Sequence, residues 1–132
     1  MLNQRVSILI VDDEPAIRSL LEQTLGPGYD CVSVESAGQA LRVLDGQVFD
    51  CALIDIGLPD MSGLTLCTMI VSRYTRTPVI TISGDTDDLS IADALKAGAI
   101  HHVTKPFNIS DLLTTVESAL KRRNPTPPRR PV

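Results

Sequence analysis

Carboxylates, one hydroxyl and one amine recur in this chain at the ends of short apolar runs. Asp12, Asp13 and Glu14 follow SILIV, Asp55 follows CALI, Ser83 and Gly84 follow VITI, and Lys105 stands before Pro106 after a further strand-like segment. A carboxylate can serve as a nucleophile toward a phosphoryl group and form an acyl phosphate. Several carboxylates held together repel one another and raise each other's pKa unless a cation neutralises them. Oxygen ligands without imidazole or thiolate favour Mg2+, which takes one or two carboxylates, keeps several waters and completes its shell with a phosphate oxygen. The metal then offsets charge on the attacking oxygen and the phosphoryl group. Lys105 supplies a positive charge, the Ser83 hydroxyl donates one hydrogen bond, and Gly84 leaves room beside it. The chain has no Gly-rich phosphate loop with a Lys-Ser/Thr motif, which argues against a nucleotide as the bound phosphate.

Such groups meet only if the runs that carry them lie side by side. Residues 51–54 have no polar alternation and are bounded by Asp50 before and by Gly57, Pro59 and Gly63 after, as expected of a strand buried on both faces. Strands are likewise expected over residues 6–11, 29–34, 79–82 and 99–104, the second of them near a sheet edge. Helical spacing separates them. Ile17, Leu20, Leu21 and Leu25 follow Pro15 after a cap from Asp13 or Glu14, and Gly26-Pro27-Gly28 ends that helix. Ser36 caps a second helix with Ala37, Ala40, Leu41 and Leu44 inward, and a third runs from Leu64 to Tyr74. Thr86 caps a fourth, which ends at Gly98, and Ser110 begins a fifth that closes on Lys121, Arg122 and Arg123. Five successive strand–helix units imply a parallel α/β sheet with helices on both faces and right-handed crossovers. The flavodoxin-like doubly wound order 2-1-3-4-5 suits five strands, and its switch point between strands one and three sets Asp12, Asp13 and Asp55 across one crevice.

Size and composition fit that architecture. The 132 residues suit one domain over residues 1–123 with a Pro/Arg-rich tail or linker over 124–132. No apolar run approaches the roughly 20 residues of a membrane span, and no secretory leader is visible, so a cytoplasmic setting is expected. A net charge of −4 argues against a nucleic-acid surface on the folded body. Cys31, Cys51 and Cys67 have neither paired nor metal-type spacing and read as reduced thiols.

The segments ILIVDDEP (8–15), ALIDIGLPDMSG (52–63), VITISG (79–84) and AGAIHHVTKPF (97–107) together resemble the receiver domain of the two-component response regulator family. The resemblance runs from about Ser7 to Lys121. It implies that Asp55 accepts a phosphoryl group from a sensor histidine kinase or phosphotransfer protein. It also implies that Asp12 and Asp13 bind Mg2+ together with Asp55 and the backbone carbonyl of Gly57. By the same resemblance Ser83 moves onto the phosphoryl group, Lys105 pairs with it, and the Lys105–Pro106 bond is cis. His102 departs from the family, standing where many relatives carry Tyr or Phe as an inward-swinging switch side chain. A histidine there is expected to give a signalling output weakened by acid.

The favoured reading is therefore a phosphorylation-controlled switch acting at the face of the fourth helix, fifth strand and fifth helix, where a homodimer is also possible. It is not an enzyme on other molecules, since it catalyses only its own phosphorylation and dephosphorylation. Nucleic acid would be reached only through an output domain absent from this sequence. Two alternatives stand beside it. One is a phosphorylation-independent interaction module, and the other a haloacid-type phosphatase, which wants a second acid two residues after the nucleophile, where this chain has Gly57.

Overall fold

In the computed structural model, which describes residues 5–84 and 91–122, five strand–helix units follow one another. They are β1 (Ser7–Val11), α1 (Pro15–Leu25), β2 (Asp30–Val34), α2 (Ala37–Gly46), β3 (Cys51–Asp55), α3 (Gly63–Arg73), β4 (Val79–Ser83), α4 (Ile91–Lys96), β5 (His101–Thr104) and α5 (Ile109–Lys121). All strand pairings are parallel and the order is β2-β1-β3-β4-β5, as expected from the sequence. β2 is an edge strand, again as expected.

Alternation along the strands divides the core in two. Leu9, Val11, Ala52, Ile54 and Val79 face α2, α3 and α4, where Ala40, Leu44, Leu66, Ile70 and Ala94 complete one cluster. Ile8, Ile10, Leu53, Ile80 and Ile82 face α1 and α5, packing against Leu21, Leu25, Leu112 and Val116. The central strand β3 therefore has every residue buried, which explains its unbroken apolar run. Fully burying an aliphatic side chain contributes about 1.5–3 kcal/mol, so these two clusters hold the helices to the sheet.

Several local expectations are revised. Glu14 occupies the N-cap of α1 but its side chain makes no cap hydrogen bond; instead Asp12 Oδ1 accepts from the Glu14 N–H at 2.9 Å. α5 begins at Ile109 rather than Ser110, because the Asn108 side chain accepts from Asp111 N–H at 3.2 Å. β5 starts at His101, two residues later than expected, because the Gly98 and Ala99 N–H groups still bond back to Leu95 and Ala94 carbonyls. Gly98 makes that exit at φ +105°, a conformation side chains resist, and Val71 packs against the space a Cβ would need. Thr86, expected to cap α4, and the tail over 124–132 lie outside the described residues. On α4 only Ala94 is buried, while Ile91 and Leu95 remain 61% and 49% exposed.

Candidate functional site

A parallel sheet brings all its carboxyl ends to one edge, and the polar residues collect there. Asp55 is the last residue of β3, Ser83 the last of β4, Asp12 follows β1, and Lys105 follows β5. The carboxylates of Asp12, Asp13, Glu14 and Asp55 each place an oxygen within 4.8 Å of the others. Lys105 reaches into this group. Its Nζ lies 3.2 Å from Asp12 Oδ2, 3.5 Å from Asp55 Oδ1 and 2.9 Å from Glu14 Oε1. The bond between Lys105 and Pro106 is cis, as expected, and the Lys105 N–H donates to the Ser83 carbonyl at 2.7 Å.

Burial sharpens these charges. Asp12 and Asp55 are 1% and 5% exposed, whereas Asp13 and Glu14 face solvent. Loss of hydration, followed by the neighbouring Asp12 charge, pushes the Asp55 carboxyl up to about 6 against the opposing pull of Lys105. Burial also raises Asp12, despite the Glu14 N–H and Lys105. For Lys105, burial works against the charge, but the Glu14 hydrogen bond and the Asp12 and Asp55 carboxylates outweigh it and hold the ammonium above its ordinary value.

The residues fit a hard divalent cation. Asp12 Oδ2 is buried and, although 3.2 Å from Lys105 Nζ, lacks the angle of a hydrogen bond and is left without a donor. An acceptor oxygen with an open lone pair, among carboxylates that outnumber one ammonium, suits an oxygen-loving ion. Gly57 lies beside this group, since a Cβ on it would stand 3.7 Å from Asp55 Oδ2.

Ser83 and His102 meet on the other side of Asp55. His102 pairs with Thr81 in the β4–β5 register, and its Nδ1 lies 2.7 Å from Thr81 Oγ1 while its Nε2 lies 2.7 Å from Ser83 Oγ. His101 points to the opposite face, toward Ser118 Oγ at 3.1 Å, as adjacent strand residues must. The two histidines therefore make no metal pair.

Three contributors escaped the sequence reading. Glu14, expected as a cap, instead pairs with Lys105, and only its place in the acidic run hints at that. Thr81 was hidden as the one polar residue of VITI. Asp60, in the loop after β3, accepts from Ala37 N–H at 3.0 Å and Gly38 N–H at 2.9 Å, so it caps α2 from across the crevice edge.

Comparison with known proteins agrees with this geometry. A family model for the response regulator receiver domain matches residues 8–117. The response regulator protein PilR of Pseudomonas aeruginosa is 44% identical over 131 residues, covering 97% of this chain but 29% of PilR. The chain thus spans under a third of that relative's length. A CheY-like response regulator receiver domain protein from Methanospirillum hungatei JF-1 has a TM-score of 0.83 at 33% identity, covering 89% of this chain and 95% of that one. The BeF3-activated DrrB receiver domain has a TM-score of 0.82 at 32% identity, covering 90% and 100%. With family, fold and edge residues in agreement, this chain belongs to the receiver domain family of two-component response regulators.

Proposed function

We propose that Asp55 is the phosphoacceptor of this receiver domain and that Asp12, Asp13, Asp55 and the Gly57 carbonyl hold Mg2+ beside it. The observation that carries this reading is the convergence of Asp12, Asp13, Glu14 and Asp55 at one sheet edge, with buried Asp12 and Asp55 both paired to Lys105. When bound, Mg2+ supplies neutralising charge to the attacking oxygen and the incoming phosphoryl group. An Asp55 carboxylate oxygen attacks phosphorus, and the bond from phosphorus to the donor's nitrogen breaks with its electron pair leaving on the donor. Lys105 turns its ammonium to a phosphoryl oxygen, and Ser83 donates its hydroxyl proton to another. The chain acts on itself alone in this reaction and on no separate substrate.

The donor is a sensor histidine kinase or a phosphotransfer protein in the cytoplasm, in keeping with the family and with the absence, among the described residues, of any helix able to cross a membrane. Residues 1–123 are the phosphoacceptor domain and 124–132 a Pro/Arg-rich tail or linker. PilR, of which this chain matches under a third, suggests an output module as the next part of the path, and nucleic acid would be contacted only there. Exposed Ile91 and Leu95 support a face of α4, β5 and α5 for an output partner, or for a homodimer through α4 and α5.

The test is incubation with Mg2+ and acetyl phosphate or phosphoramidate, read by intact mass. A single phosphoryl adduct that requires both Asp55 and the metal supports the reading. No adduct in the wild type, with fluoroberyllate also failing to bind, overturns it in favour of a phosphorylation-independent interaction module.

A further inference from the structure

Among the described side chains, the least expected arrangement is the imidazole of His102 held between two hydroxyls of β4. Val79 packs in the cluster with Ala94 and Ala99, so alternation puts Thr81 and Ser83 on the same α4-facing side of β4. The His102 ring bridges those two hydroxyls at 2.7 Å on each side. Thr81 is 0% and Ser83 3% exposed, whereas His102 is only partly buried, so its ring can trade protons with water while the two hydroxyls stay in place.

A neutral imidazole has one N–H and one bare nitrogen, and a serine hydroxyl has one proton to donate. Two arrangements satisfy the bridge. In the first, Ser83 O–H donates to a bare His102 Nε2, and Nδ1–H donates to Thr81 Oγ1. In the second, Nε2–H donates to Ser83 Oγ, and Thr81 O–H donates to a bare Nδ1. Both use the same heavy-atom positions. They differ in where Ser83 sends its own proton.

We propose that His102 is a positioning residue for Ser83, and that phosphorylation of Asp55 is passed to β4 and β5 as an exchange of the His102 ring from its Nδ1–H to its Nε2–H form. The inference rests on Asp55 being the phosphoacceptor. In the proposed resting form Ser83 gives its proton to His102 Nε2, 2.7 Å away, and Nδ1–H is held by Thr81 Oγ1. A phosphoryl oxygen is an ionised acceptor, and a hydrogen bond to it is roughly twice as strong as a neutral one. Ser83 therefore turns its proton to the phosphoryl group. The Ser83 oxygen then faces Nε2 with lone pairs only, and two bare acceptors 2.7 Å apart repel. The conflict is removed when Nε2 takes up one proton from water and Nδ1 releases one, which leaves the ring neutral. Thr81 changes from acceptor to donor in the same step. A tyrosine or phenylalanine at this position has no ring nitrogen and cannot make this exchange.

The molecule holds two histidines, so its ring nitrogens give two spin systems once histidine is labelled with nitrogen-15. Long-range proton–nitrogen correlation distinguishes the two neutral tautomers and the doubly protonated ring directly, and His101→Gln assigns the signals. Spectra are recorded with Mg2+ alone and with Mg2+ plus fluoroberyllate, whose binding is checked by fluorine resonance. The expected result is a reversal at His102 from mainly Nδ1–H to mainly Nε2–H, with His101 unchanged. In Ser83→Ala, fluoroberyllate is raised until fluorine resonance shows the site filled, and the His102 tautomer then ignores it. An unchanged His102 tautomer in the presence of bound fluoroberyllate overturns the proposal, as does a doubly protonated ring or a reversal that survives Ser83→Ala. Failure of fluoroberyllate to bind is a different outcome, and it removes the phosphoacceptor reading together with this one.

Discussion

Gly63 and Asp55 touch through their backbones. A Cβ on Gly63 would stand 2.2 Å from the Asp55 carbonyl oxygen and 2.5 Å from Ile56 Cα, well inside contact distance. The first residue of α3 thus rests directly on the end of β3, and the Gly63 N–H donates to the Ile56 carbonyl at 2.9 Å. Because the obstruction is backbone, Gly63→Ala forces α3 and the Asp55 peptide apart. Overpacking of this kind costs typically about 1–3 kcal/mol, and a lower urea midpoint is expected together with a smaller yield of the Asp55 adduct. An alanine variant as stable and as readily phosphorylated as the parent would refute the contact.

Asp55 is expected to make the fold depend on pH in a direction opposite to most carboxylates. Its folded pKa of about 6 exceeds the ordinary 3.8, so between those values the folded protein binds more protons than the unfolded chain. Unfolding free energy contributed by this group therefore falls as pH rises from 4 to 6, and the full penalty remains above that. Asp55→Asn removes it while Lys105 keeps Asp12 and Glu14. The variant is expected to be more stable by on the order of 2 kcal/mol at pH 8 and by little at pH 4. Denaturant titrations of both proteins across that range decide it, and a gap independent of pH would count against the buried carboxylate.

Asp60 joins two parts of the chain that periodicity treats as unrelated. Its carboxylate takes the Gly38 and Ala37 N–H groups of α2, and these bonds hold it below the usual carboxylate range. Stability from a depressed carboxyl is present above pH 4 and lost as pH falls through the folded pKa. Asp60→Ala is expected to lower the thermal midpoint at pH 7 and to erase part of the acid sensitivity. Protection of the α2 amides from hydrogen exchange should fall in the same variant, although Ser36 still accepts from Gln39 N–H.

The cysteines should separate cleanly by reactivity. Cys51 and Cys67 are 0% exposed, and burial pushes the Cys67 thiol up to about 11. Cys31, on the edge strand β2, is only partly buried. A charged disulfide reagent at pH 8 is expected to modify one thiol per folded molecule, slowly because burial also raises Cys31, and three after unfolding. Rapid reaction of Cys67 in the native protein would mean that α3 opens from the sheet.

What the sequence disclosed follows from how it stores information. Strands buried on both faces announce themselves as unbroken apolar runs, and the residue ending each run marks the sheet edge. Asp55, Ser83 and Lys105 are therefore legible from the sequence alone, and so is the strand order. Capping partners were harder. Ser36 sits next to the helix it caps and was legible, whereas Asp60 reaches α2 from the loop after β3. Asn108 took the role given to Ser110 because both are good caps and only the turn after Pro106 chooses between them. Glu14 looked like a cap for the same local reason, and its partner Lys105 lies 91 positions away. Thr81 and His102 were visible as residues, but their meeting depends on strand register.

The sheet also has a mechanical character. β3 is clamped by β1 and β4 and buried along its whole length, so the residue expected to receive the phosphoryl group stands on a beam held from both sides. β5 is paired along one edge only, is four residues long, and is covered on one face by α4, whose described residues bury a single side chain. If phosphorylation loads Asp55 and Ser83 passes that load to His102 as proposed, the free end bends and the clamped end stays in place. The domain is built as a cantilever, with its anchor at the chemistry and its compliance at the surface where a partner would feel the deflection.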